Sequence, residues 1–233
     1  MDLTPAQLAR MMDLSAVRPD VDLDEIRVLA ETCKQYGCIC AYAMPCYVPE
    51  LVRLLADSPE VGVGGVVGFP SGACDISIKV AEACQQLEQG AVELDMVMNV
   101  GFFRSGWDER VEDEIQVVVQ AAHPAPVKVI IEAHYLTADE IVRASRLAVR
   151  AGAAFVKTGT GWAETGATLE NVRLIKSAIG DAAQVKAAGG VRDFQTVREM
   201  IRLGVSRFGV RLASGRAILE QCALHAANGA PIP

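Results

Sequence analysis

Eight short apolar runs alternate with eight segments of helical periodicity along this chain of 233 residues, and that alternation constrains the fold more than any other feature. The run VGVGGVVGF at 61–69 is the clearest of them. It carries no polar alternation, as a strand buried on both faces of a parallel sheet requires. The other strands are expected at 11–14, 38–43, 91–98, 127–132, 153–157, 184–187 and 206–210. Helices are expected at 24–36, 49–56, 76–88, 107–122, 138–150, 169–179, 194–203 and 214–226, several stopped by a glycine such as Gly37, Gly152, Gly180 or Gly204. Thr4-Pro5 marks an additional helix start, with threonine as N-cap and proline at the first helical position. Eight βα units in a chain of this length, with nothing resembling a linker, predict one domain over residues 1–233, a closed (β/α)8 TIM barrel. An open doubly wound sheet is the competing arrangement, but no Gly-rich dinucleotide fingerprint follows an early strand.

Composition narrows the function classes. Hydrophobic residues make up 51% and charged residues 22%, enough apolar side chain for a large core. A formal charge of −7 argues against nucleic acid as a partner. Arg192, Arg198, Arg202, Arg207, Arg211 and Arg216 crowd the end of the chain; Arg198 and Arg202 share a helix face, and the others leave scope for a small anionic ligand. The opening residues lack the apolar core of a signal peptide and no run approaches the roughly eighteen apolar residues of a membrane span, so a cytoplasmic chain without a membrane partner is expected. Seven cysteines without a C-x-x-C motif fit reduced thiols, and the trio Cys38, Cys40 and Cys46 has no second cluster to complete a zinc site.

In a barrel the chemistry lies at the C-terminal ends of the strands. Strand four, AVELDMVM, has Val92, Leu94, Met96 and Met98 on one parity and Glu93 and Asp95 on the other, so the two carboxylates face the barrel interior. Strand five turns Lys128, Ile130 and Glu132 inward; Lys128 begins its strand, and there it is a structural partner for Glu93. Lys157 closes strand six in AAFVKTGTGW and Lys186 stands on strand seven in QVKAAGG. Adjacent strands lie about 4.8 Å apart, which puts these amines within roughly 5–6 Å of each other. At an effective dielectric of ~20 a cation at that distance costs about 3 kcal/mol, enough to lower a lysine to a pKa of about 8 before desolvation is counted. One of the two lysines thereby becomes a usable nucleophile, and Asp95 is placed to hold the other protonated and exchange protons with it. A lone lysine at a strand end is more often a snorkelling surface residue; the pair with Asp95 favours capture of a carbonyl substrate as a Schiff base.

These residues carry a resemblance. FVKTGTG around Lys157, VKAAGGVR around Lys186, VELDMVMNVG around Asp95, VGFPSG at 67–72, VKVIIEAHYLT at 127–137 and MDLS at 12–15 resemble the deoxyribose-phosphate aldolase family over nearly the whole chain. The resemblance implies a class I aldolase that reversibly cleaves 2-deoxy-D-ribose 5-phosphate into D-glyceraldehyde 3-phosphate and acetaldehyde, with no metal or organic cofactor. It implies that Lys157 forms the Schiff base, that Lys186 tunes it, and that Asp95 shares the proton relay. It further places Asp13, Ser15, Thr158, Thr160, Gly189, Gly190, Gly209, Arg211 and Ser214 at the phosphorylated sugar. Three departures stand out. Tyr42 occupies a position where the family commonly has cysteine; the loop expected after the last strand reads Gly209-Val210-Arg211-Leu212-Ala213-Ser214-Gly215 in place of a hydroxyl-rich phosphate loop; and the family's C-terminal tyrosine has no counterpart in Ala230-Pro231-Ile232-Pro233.

Three alternatives stay open from the residues: a lysine-dependent aldolase with another acceptor aldehyde, a non-catalytic sugar-phosphate-binding barrel, and a metal-dependent barrel enzyme built on Glu132, His134 and Asp95. A homodimer is the default assembly for a barrel of this kind.

Overall fold

A computed structural model describes residues 3–227. In chain order the elements are α1 (Pro5–Ala9), β1 (Met12–Ala16), α2 (Leu23–Tyr36), β2 (Cys40–Ala43), α3 (Val48–Leu54), β3 (Gly62–Val67), α4 (Ile76–Glu88), β4 (Glu93–Val97), α5 (Val100–Arg104), α6 (Asp108–Ala122), β5 (Val127–Ile130), α7 (Ala138–Arg150), β6 (Phe155–Lys157), α8 (Leu169–Ile179), β7 (Gln184–Ala188), α9 (Phe194–Arg202), β8 (Val205–Arg211) and α10 (Leu212–Ala227). All eight strands pair in parallel and in sequence order, and β8 closes on β1. The expected barrel is therefore the fold. The closing Ala230-Pro231-Ile232-Pro233 lies outside the described residues.

The helix starts follow the chain's own capping chemistry. Thr4 and Thr137 form reciprocal capping boxes with Gln7 and Glu140, while Asp22, Asp75, Thr168 and Asp193 cap α2, α4, α8 and α9 through their side-chain oxygens. Gly37 ends α2 at φ 66°, a conformation that costs glycine little. No helix among the described residues is long and apolar enough to cross a membrane.

Two expectations change. β8 runs through Arg211 directly into α10 from Leu212, so the loop expected over 209–215 does not exist; Leu212 begins the closing helix two residues before Ser214. The short helix α5, capped by Asn99, was not foreseen because five residues are too few to show a period.

Outward strand residues such as Leu94, Met96, Val129, Val156 and Val185 pack beneath the helices in one continuous core. A second, smaller apolar cluster lies apart from it, built from Cys40, Tyr42 and Val66 with Val17, Ile39 and Phe69 against them. The C-terminal end of β4 is held from outside the barrel. Lys79 on α4 donates to the Val97 carbonyl at 2.9 Å and pairs with Glu114 of α6 at 2.5 Å, and Glu114 accepts the Asn99 N–H at 3.1 Å. Burial raises the Glu114 carboxyl, so its charge depends on Lys79. Losing one partner of such a buried pair costs about 3–5 kcal/mol, and here it would loosen the strand that carries Asp95.

Candidate active site

Lys157 ends β6 and stands in register beside Lys186 of β7. Asp95 reaches in from β4 and places one oxygen, Oδ2, 2.6 Å from the Nζ of each lysine. Two bonds of that length to one atom hold the amines no more than 5.2 Å apart, closer than most of the range expected from strand spacing. All three side chains are buried, with Lys157 the most open at 6%.

The network is larger than the sequence revealed. Lys186 also pairs with Asp13 Oδ2 at 2.7 Å, and Asp13 Oδ1 pairs with Arg207 at 3.1 Å. Arg207 in turn reaches Glu93 at 2.6 Å, and Lys128 meets Glu93 at 2.6 Å, the structural pair expected for it. Tyr42 joins them: its hydroxyl accepts from Lys128 at 2.6 Å and donates to Glu93 at 2.8 Å, and its ring lies 4.1 Å from Lys186 Nζ. Gly64 makes room for this ring, since a Cβ there would stand 2.2 Å from Tyr42 Cζ. Lys186 shares Asp95 with Lys157 and has a second carboxylate partner in Asp13, which is fully buried and also lines the small cavity beside Lys157.

Charge counting shows what this arrangement does. Four buried cations, Lys128, Lys157, Lys186 and Arg207, face three buried carboxylates, Asp13, Glu93 and Asp95. One positive charge is in excess, and a low-dielectric site weakens the hold on the proton of the least supported cation. Lys157 touches one carboxylate and Lys186 touches two. Burial pushes the Lys157 ammonium down to about 8; Asp95 pulls against that, and the Lys186 charge adds to it. The sequence-based figure was similar but rested on the neighbouring cation, whereas burial is the larger cause. Burial acts on Lys186 too, but Asp13, Asp95 and Glu93 overcome it and hold its ammonium above the ordinary range. Burial likewise opposes ionisation of Asp95, and the surrounding lysines keep its carboxyl well below the usual range. The geometry supplies one amine that gives up its proton near pH 8, one ammonium and a carboxylate bridging them.

Two connected cavities open above this set. The inner one, about 20 Å³, is lined by Lys157, Lys186, Asp95 and Asp13 together with Tyr42, Val66, Phe69 and Ala188. The outer one, about 230 Å³, is lined by Arg18, Arg192, Arg211, Ser214, Gly189, Gly190 and the 160–164 segment. Ser15, Thr160 and Gly209 border both. Gly209 is needed for lysine access, because a Cβ there would lie 3.0 Å from Lys186 Cε and 3.8 Å from Lys157 Cε. Gly189 and Gly190 adopt φ of 83° and 100°, turning the chain from β7 across the outer cavity. Arg211 is exposed and donates to the Gly161 carbonyl at 3.3 Å. Thr158 stands apart from both cavities: fully buried, its hydroxyl donates to the Ala188 carbonyl at 2.6 Å and accepts the Ala188 N–H at 2.9 Å. Sequence reasoning also passed over Trp162, whose Nε1 donates to the Val17 carbonyl at 3.0 Å and whose ring meets Phe69 edge-on, tying the 158–162 segment across the barrel mouth.

Glu132 follows β5 and is the one non-glycine residue with positive φ, 49°, among the described residues. Its buried carboxylate accepts the Thr160 N–H at 3.1 Å and the Thr160 hydroxyl at 2.5 Å, and that hydroxyl accepts the Trp162 N–H at 3.0 Å. A strained backbone held by buried bonds points to a positioning task. Glu132→Ala is expected to lower kcat/KM by about 10- to 100-fold, mostly through KM, and Glu132→Gln to recover part of it, because small misplacements at a site cost that much. Steady-state kinetics unchanged in Glu132→Ala would show that the 158–162 segment holds itself. The same bonds disfavour the alternative metal trio: Glu132 is committed to Thr160, His134 Nδ1 bonds Thr165 Oγ1 at 2.8 Å, and Asp95 is committed to lysines. Asp13, Cys40 and Glu93 do lie within 4.8 Å of one another, but Arg207, Lys128 and Lys186 already neutralise the carboxylates and burial keeps the Cys40 thiol protonated.

Comparison with known proteins agrees with this chemistry. The chain is 45% identical over 221 residues to a deoxyribose-phosphate aldolase of Sinorhizobium medicae (strain WSM419), covering 95% of this chain and 89% of the relative. It is 42% identical over 221 residues to one of Thermococcus kodakarensis (strain ATCC BAA-918 / JCM 12380 / KOD1), covering 92% and 96%. The tetrameric deoxyribose phosphate aldolase of Aeropyrum pernix superposes with a TM-score of 0.85 at 31% identity, covering 93% of this chain and 91% of that one. With residues 6–221 matching the family as a whole and a lysine pair bridged by a carboxylate at the strand ends, the chain belongs to the DeoC/LacD family of aldolases.

Proposed function

We propose that this protein cleaves 2-deoxy-D-ribose 5-phosphate to D-glyceraldehyde 3-phosphate and acetaldehyde through a Schiff base on Lys157. The observation that carries the reading is the single Asp95 oxygen bonded to both amines, beside a cavity too small for a sugar phosphate but open to one that is not. Lys157 attacks C1 of the open-chain sugar, and loss of water leaves an iminium. Removal of the C3 hydroxyl proton lets the C2–C3 bond break, its electron pair passing into the iminium to give an enamine and the three-carbon aldehyde. Protonation at C2 and hydrolysis release acetaldehyde and the free amine. Asp95 and the Lys186 ammonium exchange the protons these steps need.

The phosphate is assigned to the outer cavity, where Arg211 and Arg192 supply charge and the Gly189-Gly190 turn and the start of α10 offer backbone N–H groups. Ser15, Thr160, Gly209 and Ser214 line its path. Cleavage of phosphorylated deoxyribose should exceed that of free deoxyribose by at least about 100-fold in kcat/KM, the scale of two or more charge-assisted contacts. Equal rates would favour an aldolase with another acceptor, the reading that Arg211 suggests. Tyr42 no longer supports that reading, since it lies among the charged residues below the lysines and away from the outer cavity.

The depressed Lys157 ammonium sets the pH dependence. Its proton leaves at about pH 8, well below the ordinary lysine value, so the fraction of nucleophilic amine rises with pH through that region and is roughly a tenth at pH 7. kcat/KM should rise with an apparent pKa near 8; a profile flat from pH 6 to 9 would contradict the assignment of Lys157 as the titrating nucleophile.

A further inference from the structure

We infer that α4 carries a positioning face, Lys79, Glu82 and Gln86, that sets where Asp95 stands against Lys157 and Lys186. That role rests on the aldolase reading and extends it to residues outside the barrel. A helix that covers a barrel is expected to bury an apolar stripe. The residues α4 buries are Lys79, Ala83 and Gln86, and Glu82 lies half-buried on the same face. Their polar atoms are spent on strand backbone. Gln86 accepts the Val66 N–H at 3.0 Å and donates to the Val66 carbonyl at 2.8 Å; Glu82 accepts the Gly68 N–H at 2.7 Å; Lys79 donates to the Val97 carbonyl at 2.9 Å. These bonds bracket Asp95, because Val66 is its register partner on β3 and Val97 lies two residues beyond it on β4. Glu114 of α6, paired with Lys79, takes the Asn99 N–H just past the strand end.

The run VGVGGVVGF is cut to admit these side chains. A Cβ at Gly65 would stand 2.6 Å from Gln86 Oε1, and one at Gly68 would stand 2.8 Å from Lys79 Cε. Two glycines therefore make room for α4, not for the barrel interior. A buried ion pair is weak grounds for stability, since apolar residues of similar volume commonly do as well. What apolar residues cannot supply is a directed bond to a strand's N–H or carbonyl. Asp95 needs that precision: one of its oxygens must lie 2.6 Å from each of two amines on other strands.

Two variants that keep the volume and remove the bonds test this role. One is the double replacement Lys79→Met with Glu114→Leu, which leaves no charge unpaired; the other is Gln86→Met, which stands alone if the first fails to fold. Each should lower kcat for cleavage of deoxyribose 5-phosphate by about 10- to 100-fold, the cost of misplacing a catalytic group, with KM little changed because the outer cavity is untouched. The acid limb of kcat/KM should also move below about 8, as Asp95 loosens its hold on the Lys157 ammonium. A kcat and a pH limb unmoved in the folded variants, whatever their melting temperature, overturn the positioning role and leave the aldolase reading intact. A loss confined to KM does the same. Failure of wild type to cleave the sugar phosphate overturns both.

Discussion

Lys157→Ala is expected to abolish aldol cleavage, lowering kcat/KM on the order of 10⁴-fold or more, the usual result of deleting a covalent nucleophile, while leaving the barrel folded. Both halves follow from the charge count. Lys157 is the surplus cation among four that face three carboxylates, so its removal leaves Lys128, Lys186 and Arg207 matched to Asp13, Glu93 and Asp95. Asp95 keeps Lys186 at 2.6 Å and is not stranded. A melting temperature within a few degrees of wild type, alongside lost activity, is the expected pair of measurements. Lys186 cannot stand in, because its two carboxylate partners hold its proton. Residual cleavage above a hundredth of wild type would point to a different nucleophile.

Asp95→Asn should behave differently on every axis. Cleavage falls by about 10²- to 10⁴-fold, the range for losing a general acid–base group, but the nucleophile survives. Four cations then face two carboxylates, and breaking a buried pair costs about 3–5 kcal/mol, with the lower end expected because Lys157 sheds its proton. The pH profile gives the sharper test. Asp95 raises the Lys157 ammonium against burial, so its loss moves the titration below about 8 and the acid limb of the residual activity shifts to lower pH. A limb that stays in place would mean that Asp95 does not govern the Lys157 charge.

How far the chain could be read in advance depended on periodicity. Period-two parity in strands four and five turned Glu93, Asp95 and Lys128 inward, while Lys157 and Lys186 stood out by their places toward the ends of strands six and seven; all five are buried inside the barrel. Arg207 lies on a strand of equal clarity, yet it was grouped with the arginines of the last helices, and parity in VSRFGVR was the signal that would have separated it. Thr158 was placed at the sugar because its motif is; nothing in one dimension tells whether a polar side chain at a strand end faces a ligand or spends its bonds on a neighbouring strand. Glu132 was visible as an inward carboxylate, but its partner Thr160 is 28 residues away and its backbone angle leaves no trace in composition. The β8-to-α10 junction was misread because Arg211-Leu212-Ala213 has no capping residue to mark a helix start.

Tyr42 shows the same limit. As a departure from its family it suggested a changed acceptor pocket, whereas the folded chain seats it against Gly64, bonds it to Lys128 and Glu93, and lays its ring against Lys186. A substitution read for the substrate it admits instead braces the buried charges beside Lys157. The two residues that make this possible, Tyr42 and Gly64, sit side by side in the register of β2 and β3.

The claim on which the rest depends is that Lys157 is the amine that bonds to the substrate. Borohydride reduction in the presence of acetaldehyde, followed by peptide mass mapping, tests it directly. A two-carbon adduct on Lys157, formed faster as pH rises toward 8 and beyond, is the expected result; an adduct on Lys186 or on a surface lysine, or none at all, would contradict it.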